Sequence, residues 1–143
     1  FFAPDFLRRE FFPRLKRQLQ PLKDAGIKVI YHTDGNVMEV LDDLIDAGID
    51  ILNPIQISSP GMDPQELKRE YGRDLVFWGG GVDTQHVLPN GTPQQVRDEV
   101  RRRIEDLAPG GGYVLTPRWA VRPEVPPENL CALYEAVEAY GQY

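Results

Sequence analysis

The chain has 143 residues, of which 41% are hydrophobic and 27% are charged, and its 16 basic and 22 acidic side chains give a net charge of −6. This length suits one domain over residues 1–143, the apolar content excludes a disordered chain, and the acidic balance argues against a binder of nucleic-acid backbones. No apolar run approaches the roughly 20 residues that cross a bilayer, and the single cysteine excludes a disulfide framework, so we expect a cytoplasmic protein without membrane or nucleic-acid partners.

Short β-branched runs alternate with longer amphipathic stretches along the chain. Apolar residues at helical spacing predict a first helix, which Gly26 ends before a β-branched run. The unit then recurs, with Gly48 closing the second helix and with Asp63-Pro64 and Thr92-Pro93 opening the third and fourth. The predicted helices cover residues 5–25, 37–47, 64–71, 93–107 and 127–140, and the predicted strands cover residues 27–31, 49–52, 75–78 and 113–116.

One helix followed by four βα units predicts an α/β fold with four parallel strands and right-handed crossovers. Such a chain is either a small open sheet or the (βα)4 half of an eight-stranded TIM barrel. The longest connections follow the second, third and fourth strands, and ligand sites in parallel α/β folds lie in loops at the carboxyl ends of strands. The chain begins at Phe1 without a methionine, so we expect it to be a piece of a longer protein.

A histidine and a carboxylate follow the first predicted strand. His32 and Asp34 stand two residues apart, so at a strand end they can point to the same side and share a ligand. Together they form either a weak metal site or an acid/base pair in which Asp34 orients the histidine. The alternative is turn chemistry over Asp34-Gly35-Asn36, in which Asn36 caps the next helix.

Three consecutive glycines, residues 79–81, follow the third predicted strand and lead to Asp83. Such a run lets a ligand approach the backbone and offers amide donors to an anion, or it forms a tight bend at a barrel mouth. Asp83 either faces the same mouth or caps the turn before Val87. The spacing matches neither the phosphate-binding loop of nucleotide hydrolases nor the dinucleotide fingerprint.

The loop after the fourth predicted strand carries Arg118, Trp119 and Arg122. A guanidinium group pairs bidentately with a carboxylate, so this loop is a candidate site for a carboxylated ligand. The alternative is an ordinary loop with an arginine stacked on the indole ring. Cys131 stands at the inward spacing of the last helix and is predicted to be part of the core.

Taken in order, these segments resemble the C-terminal half of the uroporphyrinogen decarboxylase-like superfamily, which also contains related cobalamin-dependent methyltransferases. The resemblance covers nearly the whole chain and rests on many short pieces at family spacing. These pieces are His32-Thr33-Asp34-Gly35-Asn36, Ala47-Gly48-Ile49-Asp50, Gly80-Gly81-Val82-Asp83, Gly91-Thr92-Pro93, Gly111-Gly112-Tyr113-Val114-Leu115 and Val125-Pro126-Pro127-Glu128-Asn129.

The resemblance implies a (β/α)8 barrel, of which this chain supplies strands five to eight. An open half-barrel exposes one sheet face and two strand edges, so we expect a homo-oligomer or a complementary half-barrel to cover them. The resemblance also implies a small-molecule substrate. The reaction that the resemblance implies is the decarboxylation of carboxylate arms on a tetrapyrrole by a carboxy-lyase that needs no cofactor, and we expect the isolated chain to be inactive.

The site residues implied by the resemblance are His32 and Asp34 for catalysis, and Gly80, Gly81, Asp83, Arg118, Trp119 and Arg122 for substrate binding. Two departures from the family stand out in the sequence. Arg118-Trp119 occupy the place where decarboxylases carry a histidine, and Asp34 replaces the first cysteine of the zinc site in the methyltransferases. A methyl-transfer enzyme with weakly bound zinc at His32 and Asp34, or a non-catalytic domain that self-associates, therefore stays open.

Overall fold

The computed structural model describes residues 2–117 and 121–142. Its α-helices are α1 (Pro4–Phe6), α2 (Phe12–Asp24), α3 (Leu41–Ala47), α4 (Pro64–Tyr71), α5 (Val87–Asn90), α6 (Pro93–Leu107) and α7 (Pro127–Tyr140). Its strands are β1 (Ile30–His32), β2 (Ile51–Asn53), β3 (Val76–Trp78) and β4 (Tyr113–Val114). A π-helical segment, Leu7–Phe11, joins α1 to α2, and a 3-10 turn, Met38–Val40, leads into α3.

Local sequence signals set several helix ends where they were predicted. The Thr92 side chain accepts from the Gln95 amide at the start of α6, and the Gln95 side chain accepts in return from the Thr92 amide, which forms a capping box. Asp63 caps α4 through a single bond, by accepting from the Glu66 amide at 2.9 Å. Gly48 follows α3 with a φ of 107°, the left-handed conformation that favours glycine at a helix end.

The four strands form one parallel sheet in the order β1-β2-β3-β4. Each strand lies beside the next one along the chain, with a helix in the connection, as in a βαβ unit. The predicted α/β class is therefore confirmed, and the architecture is that of part of a TIM barrel.

The two faces of the sheet differ in burial. Leu52 of β2 and Phe77 of β3 are fully buried on the face that packs against the helices. On the opposite face, which we call the inner face, Ile30 is 50% exposed and Val114 is 37% exposed. Trp78 on this face is only partly buried. The single chain thus leaves one face of its sheet partly uncovered, as expected for a half-barrel.

Several sequence-based predictions of local structure were wrong. The first helix is not continuous over residues 5–25, because a π-helical segment interrupts it, and the second helix begins at Leu41 and not at residue 37, because a 3-10 turn precedes it. The first strand begins at Ile30 and not at residue 27, because the Ile27 amide donates to the Leu22 carbonyl at 2.9 Å and closes the turn after α2. Helix α5 was not predicted, since its four residues are too few to show a period. Cys131 is exposed on α7 and is not part of the core.

The last helix is fastened to the rest of the fold through Asn129. This side chain is buried, and its amide nitrogen donates to the Leu88 carbonyl at 2.9 Å and to the Gly91 carbonyl at 2.8 Å. Those carbonyls belong to α5 and to the turn before α6, so one side chain holds three helices together. Over the residues that the structure describes, no helix has both the length and the apolar composition to cross a bilayer.

Asp50, just before β2, joins three parts of the chain. Its carboxylate accepts from the ammonium group of Lys23 at 2.6 Å, from that of Lys28 at 3.0 Å and from the Val29 amide at 2.9 Å. Partial burial alone would raise the pKa of Asp50, but these three donors outweigh it and lower the pKa to about 2. The group therefore ties α2 and the start of β1 to β2.

Replacing Asp50 with asparagine is expected to destabilise the fold. The difference between 3.8 and about 2 corresponds to roughly 2 kcal/mol at pH 7. Because the pKa is lower in the folded chain, this stabilisation is complete above about pH 4 and is lost as the pH falls through the folded value. Urea denaturation of both proteins across this pH range measures the difference.

The matched control for Asp50→Asn is Asp46→Asn. Asp46 also pairs with a lysine, Lys16, at 2.8 Å, but its side chain is 75% exposed. A surface pair of this kind contributes about 0–1 kcal/mol. If Asp50→Asn lowers the free energy of unfolding no more than Asp46→Asn does, the stabilising role of the three donors around Asp50 is contradicted.

Candidate functional site

The loops after β1 and β2 are fastened to each other at the carboxyl end of the sheet. The Gly35 amide donates to the Gln56 side chain at 2.6 Å, and the Asn36 side-chain amide donates to the Pro60 carbonyl at 2.8 Å. Asn36 also accepts from the Met38 amide at 2.9 Å, as in an Asx-turn. The predicted helix cap at Asn36 is wrong, because the 3-10 turn and α3 follow Val37 and Val40, neither of which provides a side-chain cap. Gln56 was not singled out from the sequence, because its role depends on a contact between loops 21 residues apart.

His32 ends β1 and lies on the inner face, where its Nδ1 is 2.8 Å from Oδ1 of Asn53. An amide oxygen can only accept, so Nδ1 donates the proton of this bond. In a neutral imidazole, Nε2 is then left as the acceptor. Asn53 is the register partner of His32 on β2, and its place at a strand end is the signal that could have identified it.

Asp34 lies in a different setting from His32. It lines an open cleft of about 440 Å³. The cleft lies between the first helical segment (residues 4–24, from α1 to α2), the end of β1 and the segment leading into α3. We call this the aromatic cleft, because Phe2, Phe11, Phe12 and Tyr31 form much of its wall. His32 does not line this cleft, so a joint action of the two groups stays a prediction.

The wall of the aromatic cleft combines aromatic rings with polar groups. Phe2 stacks on Phe6 with ring centroids 5.3 Å apart, and both residues are exposed. Burial raises the pKa of Tyr31, so its hydroxyl keeps its proton and can donate a hydrogen bond. The many phenylalanines near the start of the chain were the sequence signal for this wall. The helical pattern did not show that they would pack beside β1.

The residues that the structure describes do not supply a zinc site at His32 and Asp34. No group of three His, Cys, Asp or Glu side chains within residues 2–117 and 121–142 could hold a metal ion. Zinc in proteins takes at least three protein ligands, so this donor set does not fit zinc.

The glycines after β3 allow close packing between loops. The Gly79 amide donates to the Val114 carbonyl and the Gly81 amide donates to the Thr116 carbonyl, both at 3.0 Å. A Cβ on Gly81 would lie 2.9 Å from the Leu115 side chain. The tight-bend interpretation is thus observed for this run, and the role of Gly80 and Gly81 in substrate binding stays a prediction.

Asp83 holds the turn that starts α5. Its Oδ1 accepts from the amides of Gln85 at 2.7 Å and His86 at 3.1 Å, and its Oδ2 is 2.9 Å from Nδ1 of His86. Burial would raise the pKa of Asp83, but the bonds from His86 and Gln85 outweigh it and lower the pKa. The Asp83 amide donates to Glu99 at 3.2 Å, and burial raises the pKa of that glutamate.

The arginine loop is described only in part. Arg122 is exposed, and its Nη1 lies 3.5 Å from Oε1 of Glu124, which is a loose surface ion pair. The predicted substrate residues Arg118 and Trp119 lie outside the described residues. The pair of Asp83 with His86, which was not predicted from the sequence, lies between β3 and α5.

The sequence model of the uroporphyrinogen decarboxylase (URO-D) family matches residues 2–140. The uroporphyrinogen decarboxylase of Methylococcus capsulatus is 29% identical over 128 residues, covering 90% of this chain and 34% of that protein. That of Thermus thermophilus is 28% identical over 140 residues, covering 95% of this chain and 37% of that protein. The chain therefore spans about a third of the length of these relatives.

A solved structure shares the fold. The methyltransferase from Methanosarcina mazei superposes with a TM-score of 0.74 over 98% of this chain and 38% of that protein, at 24% sequence identity. At this identity the likeness concerns the fold alone.

Proposed function

The chain belongs to the uroporphyrinogen decarboxylase (URO-D) family, and from that premise we propose that it serves the decarboxylation of carboxylate arms on a tetrapyrrole as part of a larger barrel. The observation that carries this proposal is the position of Asp34 in the wall of the aromatic cleft, at the carboxyl end of β1. A flat pyrrole ring fits against aromatic side chains, and a carboxylate beside it favours positive charge on the ring.

The reaction needs a proton and a place for positive charge. Protonation of the ring carbon next to the one that bears the arm makes the ring cationic, and the electron pair of the breaking bond between the arm and its carboxylate forms a double bond between the arm carbon and the ring, which neutralises the cation. Carbon dioxide leaves, the arm carbon takes a proton, and the ring carbon releases the first proton. The net change replaces a carboxylate by hydrogen, and no cofactor takes part.

Within this proposal, Asp34 faces the cationic ring and His32 moves a proton. A carboxylate near a developing cation lowers the barrier because their attraction grows along the reaction path. The free Nε2 of His32 can accept or deliver a proton at the inner face, while Asn53 fixes the ring through Nδ1. His32 and Asp34 thus act on one substrate from two sides of β1.

The remaining proposed substrate residues bind the carboxylate arms that do not react. Arg118 and Arg122 pair with arms through their guanidinium groups, Trp119 packs beside the ring, and Gly80, Gly81 and Asp83 line the mouth. The loose contact between Arg122 and Glu124, at 3.5 Å, leaves that guanidinium able to exchange partners. Each of these roles follows from the family resemblance and from the position of the loop after a strand end.

Two other functions are compatible with membership of the superfamily. Metal-dependent methyl transfer would need a third ligand beside His32 and Asp34, and the described residues provide none. A non-catalytic domain that self-associates would need only the uncovered inner face. The cleft wall that contains Asp34 favours decarboxylation over both.

The proposal is tested by a chimera. The segment of the Methylococcus capsulatus enzyme that this chain matches is replaced by this chain, and anaerobic turnover of uroporphyrinogen is followed by porphyrin chromatography. We expect the folded chimera to decarboxylate, Asp34→Asn to reduce kcat by about 100-fold, and the 143-residue chain alone to show no turnover because it spans only about a third of the length of its relatives.

The control variant is Asp98→Asn, at an exposed position on α6 whose bond from Gln94 an asparagine can also accept. It should leave the turnover of the chimera unchanged. A folded chimera without activity, or an Asp34→Asn chimera as active as Asp98→Asn, would refute the proposal.

A further inference from the structure

We propose that the first helical segment of one copy of this chain binds helix α7 of a second copy, through an apolar stripe on each helix and through opposite net charge. The proposal concerns the outer layer of helices and does not rest on the proposed function. It assigns a partner to two helix faces that the single chain leaves uncovered.

The first observation is that these two helices lie at the two ends of the helical layer. Helix α2 precedes β1 and packs against α3, whereas α7 follows β4 and packs mainly against α6. In the described sheet, β1 and β4 are the two edge strands. When two copies close their strands into a parallel ring of eight, β1 of one copy lies beside β4 of the other, so α2 lies beside α7.

The second observation is an apolar stripe on the uncovered side of the first helical segment. Phe11, Leu15 and Gln18 follow one another at i, i+4 and i+7, so they share one side of the helix. Phe11 is 38% exposed and Leu15 is partly buried. The contact with α3 lies on another side, where Lys16 donates to Asp46 at 2.8 Å.

Helix α7 carries a matching stripe. Leu130, Tyr134 and Val137 also stand at i, i+4 and i+7. Tyr134 is 69% exposed, and the other two are partly buried. The contact with α6 again lies on another side, where Glu135 accepts from Arg97 at 2.6 Å. The two stripes would cover each other when α2 and α7 lie side by side.

The third observation is the opposite charge of the two partners. Residues 4–24 carry six basic and three acidic side chains, a net charge of +3, although the whole chain has a net charge of −6. Residues 127–140 carry three acidic side chains and no basic one, a net charge of −3. These charges attract the first helical segment to α7 and disfavour the pairing of either helix with its own copy. Charge therefore favours the same pairing that closure of the strands requires.

The pairing is tested first by cross-linking. Cys131 is the only cysteine of the chain, is exposed, and shares one side of α7 with Tyr134 by helical spacing. Gln18→Cys places a thiol on the uncovered side of α2, and both thiols lie within the first two turns of their helices. We expect a short bis-maleimide to join two copies of Gln18→Cys at micromolar concentration, and a denaturing gel detects the covalent dimer.

The matched control for cross-linking is Gln20→Cys. Gln20 is an exposed glutamine on the same helix, and its spacing from Lys16 places it on the side that packs against α3. This variant should give much less covalent dimer than Gln18→Cys. The wild type, whose cysteines would lie at opposite seams of the closed ring, should give none.

Two substitutions of Tyr134 test the contribution of charge. Tyr134→Lys and Tyr134→Glu both remove an exposed ring, so both are expected to fold. The lysine would be repelled by the basic first helical segment and the glutamate attracted, so sedimentation equilibrium should give Tyr134→Lys a dissociation constant at least about tenfold higher. Net charge alone predicts the reverse order, because the lysine reduces the negative charge of the chain. By the same rule, a lysine on α2, as in Leu22→Lys, is tolerated because it faces an acidic helix.

Three outcomes would overturn the inference. The first is a wild-type monomer at micromolar concentration, which would mean that a different polypeptide covers these faces. The second is a dimer in which Gln18→Cys and Gln20→Cys give equal yields of covalent product. The third is a dissociation constant for Tyr134→Lys equal to or lower than that for Tyr134→Glu.

Discussion

The purified 143-residue chain, with a mass of 16.3 kDa, is expected to sediment as a dimer at micromolar concentration. The reason is the uncovered inner face. Ile30 and Val114 are exposed there, at opposite edges of the sheet, and Ile51, Val76 and Trp78 between them are only partly buried. A monomer would keep this apolar surface in water together with the edges of two terminal strands.

The strand order allows a second copy to close this face. All four strands are parallel, and β1 and β4 each have one neighbouring strand among the described residues. A twofold axis along the direction of the strands would place β1 of one copy beside β4 of the other, at both seams. The eight strands would then be parallel throughout, as in a TIM barrel, and the symmetry would be closed.

Apolar burial supplies a large share of the free energy of closure. The exposed fraction is 50% for Ile30, 37% for Val114 and smaller for the three residues between them, so burying these fractions stabilises by about 3 kcal/mol in each copy. A micromolar dimer requires about 8 kcal/mol of net binding free energy, so the strand edges that pair at both seams must supply the rest and offset the entropy of association. The strand-end loops with His32 and Asp34 would then lie around a shared mouth.

Sedimentation velocity of the wild type and of Ile30→Lys tests this prediction. A charge at Ile30 would lie inside the closed barrel, beside the seam between the two copies, and should convert the dimer to a monomer. Leu22→Lys is the control, because Leu22 is a similarly exposed apolar residue on α2. A wild-type monomer at micromolar concentration, or equal effects of both substitutions, would disprove closure by a second copy.

Gly79→Ala is expected to destabilise the fold by about 3 kcal/mol or more. Gly79 has a φ of 102°, which an L side chain rarely adopts, and a Cβ there would lie 3.0 Å from Cβ and 3.2 Å from Cα of Pro54. Pro54 is buried beside β2, so neither the loop after β3 nor the loop after β2 can retreat easily. The conformational strain and the collision therefore add.

Gly110→Ala is the matched control for this substitution. Gly110 has a comparable φ of 79°, but no atom lies within 4 Å of the position of an added Cβ. It should therefore lose only the conformational part, about 1–2 kcal/mol. Urea denaturation midpoints at constant m-value give both losses, and equal losses would show that the contact with Pro54 does not matter.

The sequence was sufficient for the order and type of most elements because these depend on local signals. The capping box at Thr92 and the N-cap at Asp63 define helix starts without reference to the rest of the chain. The start of β1 was misplaced because strand pairing and not β propensity decides it, and Ile27 is held in a turn by the Leu22 carbonyl. The π-helical segment at Leu7–Phe11 has no signal in a helical pattern.

The candidate site was predictable only in part for the same reason. His32 and Asp34 were identified because they follow a predicted strand. That His32 lies on the inner face and Asp34 in the aromatic cleft depends on how β1 packs against the first helical segment, which the sequence does not show. The partners Asn53 and Gln56 are both 21 residues away from the groups they contact. Contacts between loops of this kind are set by tertiary packing, which periodicity in a single sequence does not encode.

Because Asn129 is buried and bonded to two other segments, α5, the start of α6 and α7 are expected to unfold together when the chain opens partially. Detaching α7 would remove the donor from the carbonyls of Leu88 and Gly91 and would expose apolar residues of α7 such as Leu133. An unpartnered buried polar group is costly, so α5, the start of α6 and α7 should open together and not one by one. The turn that Asp83 holds sits directly before α5, so the mouth of the proposed site belongs to the same cooperative unit as the end of the chain.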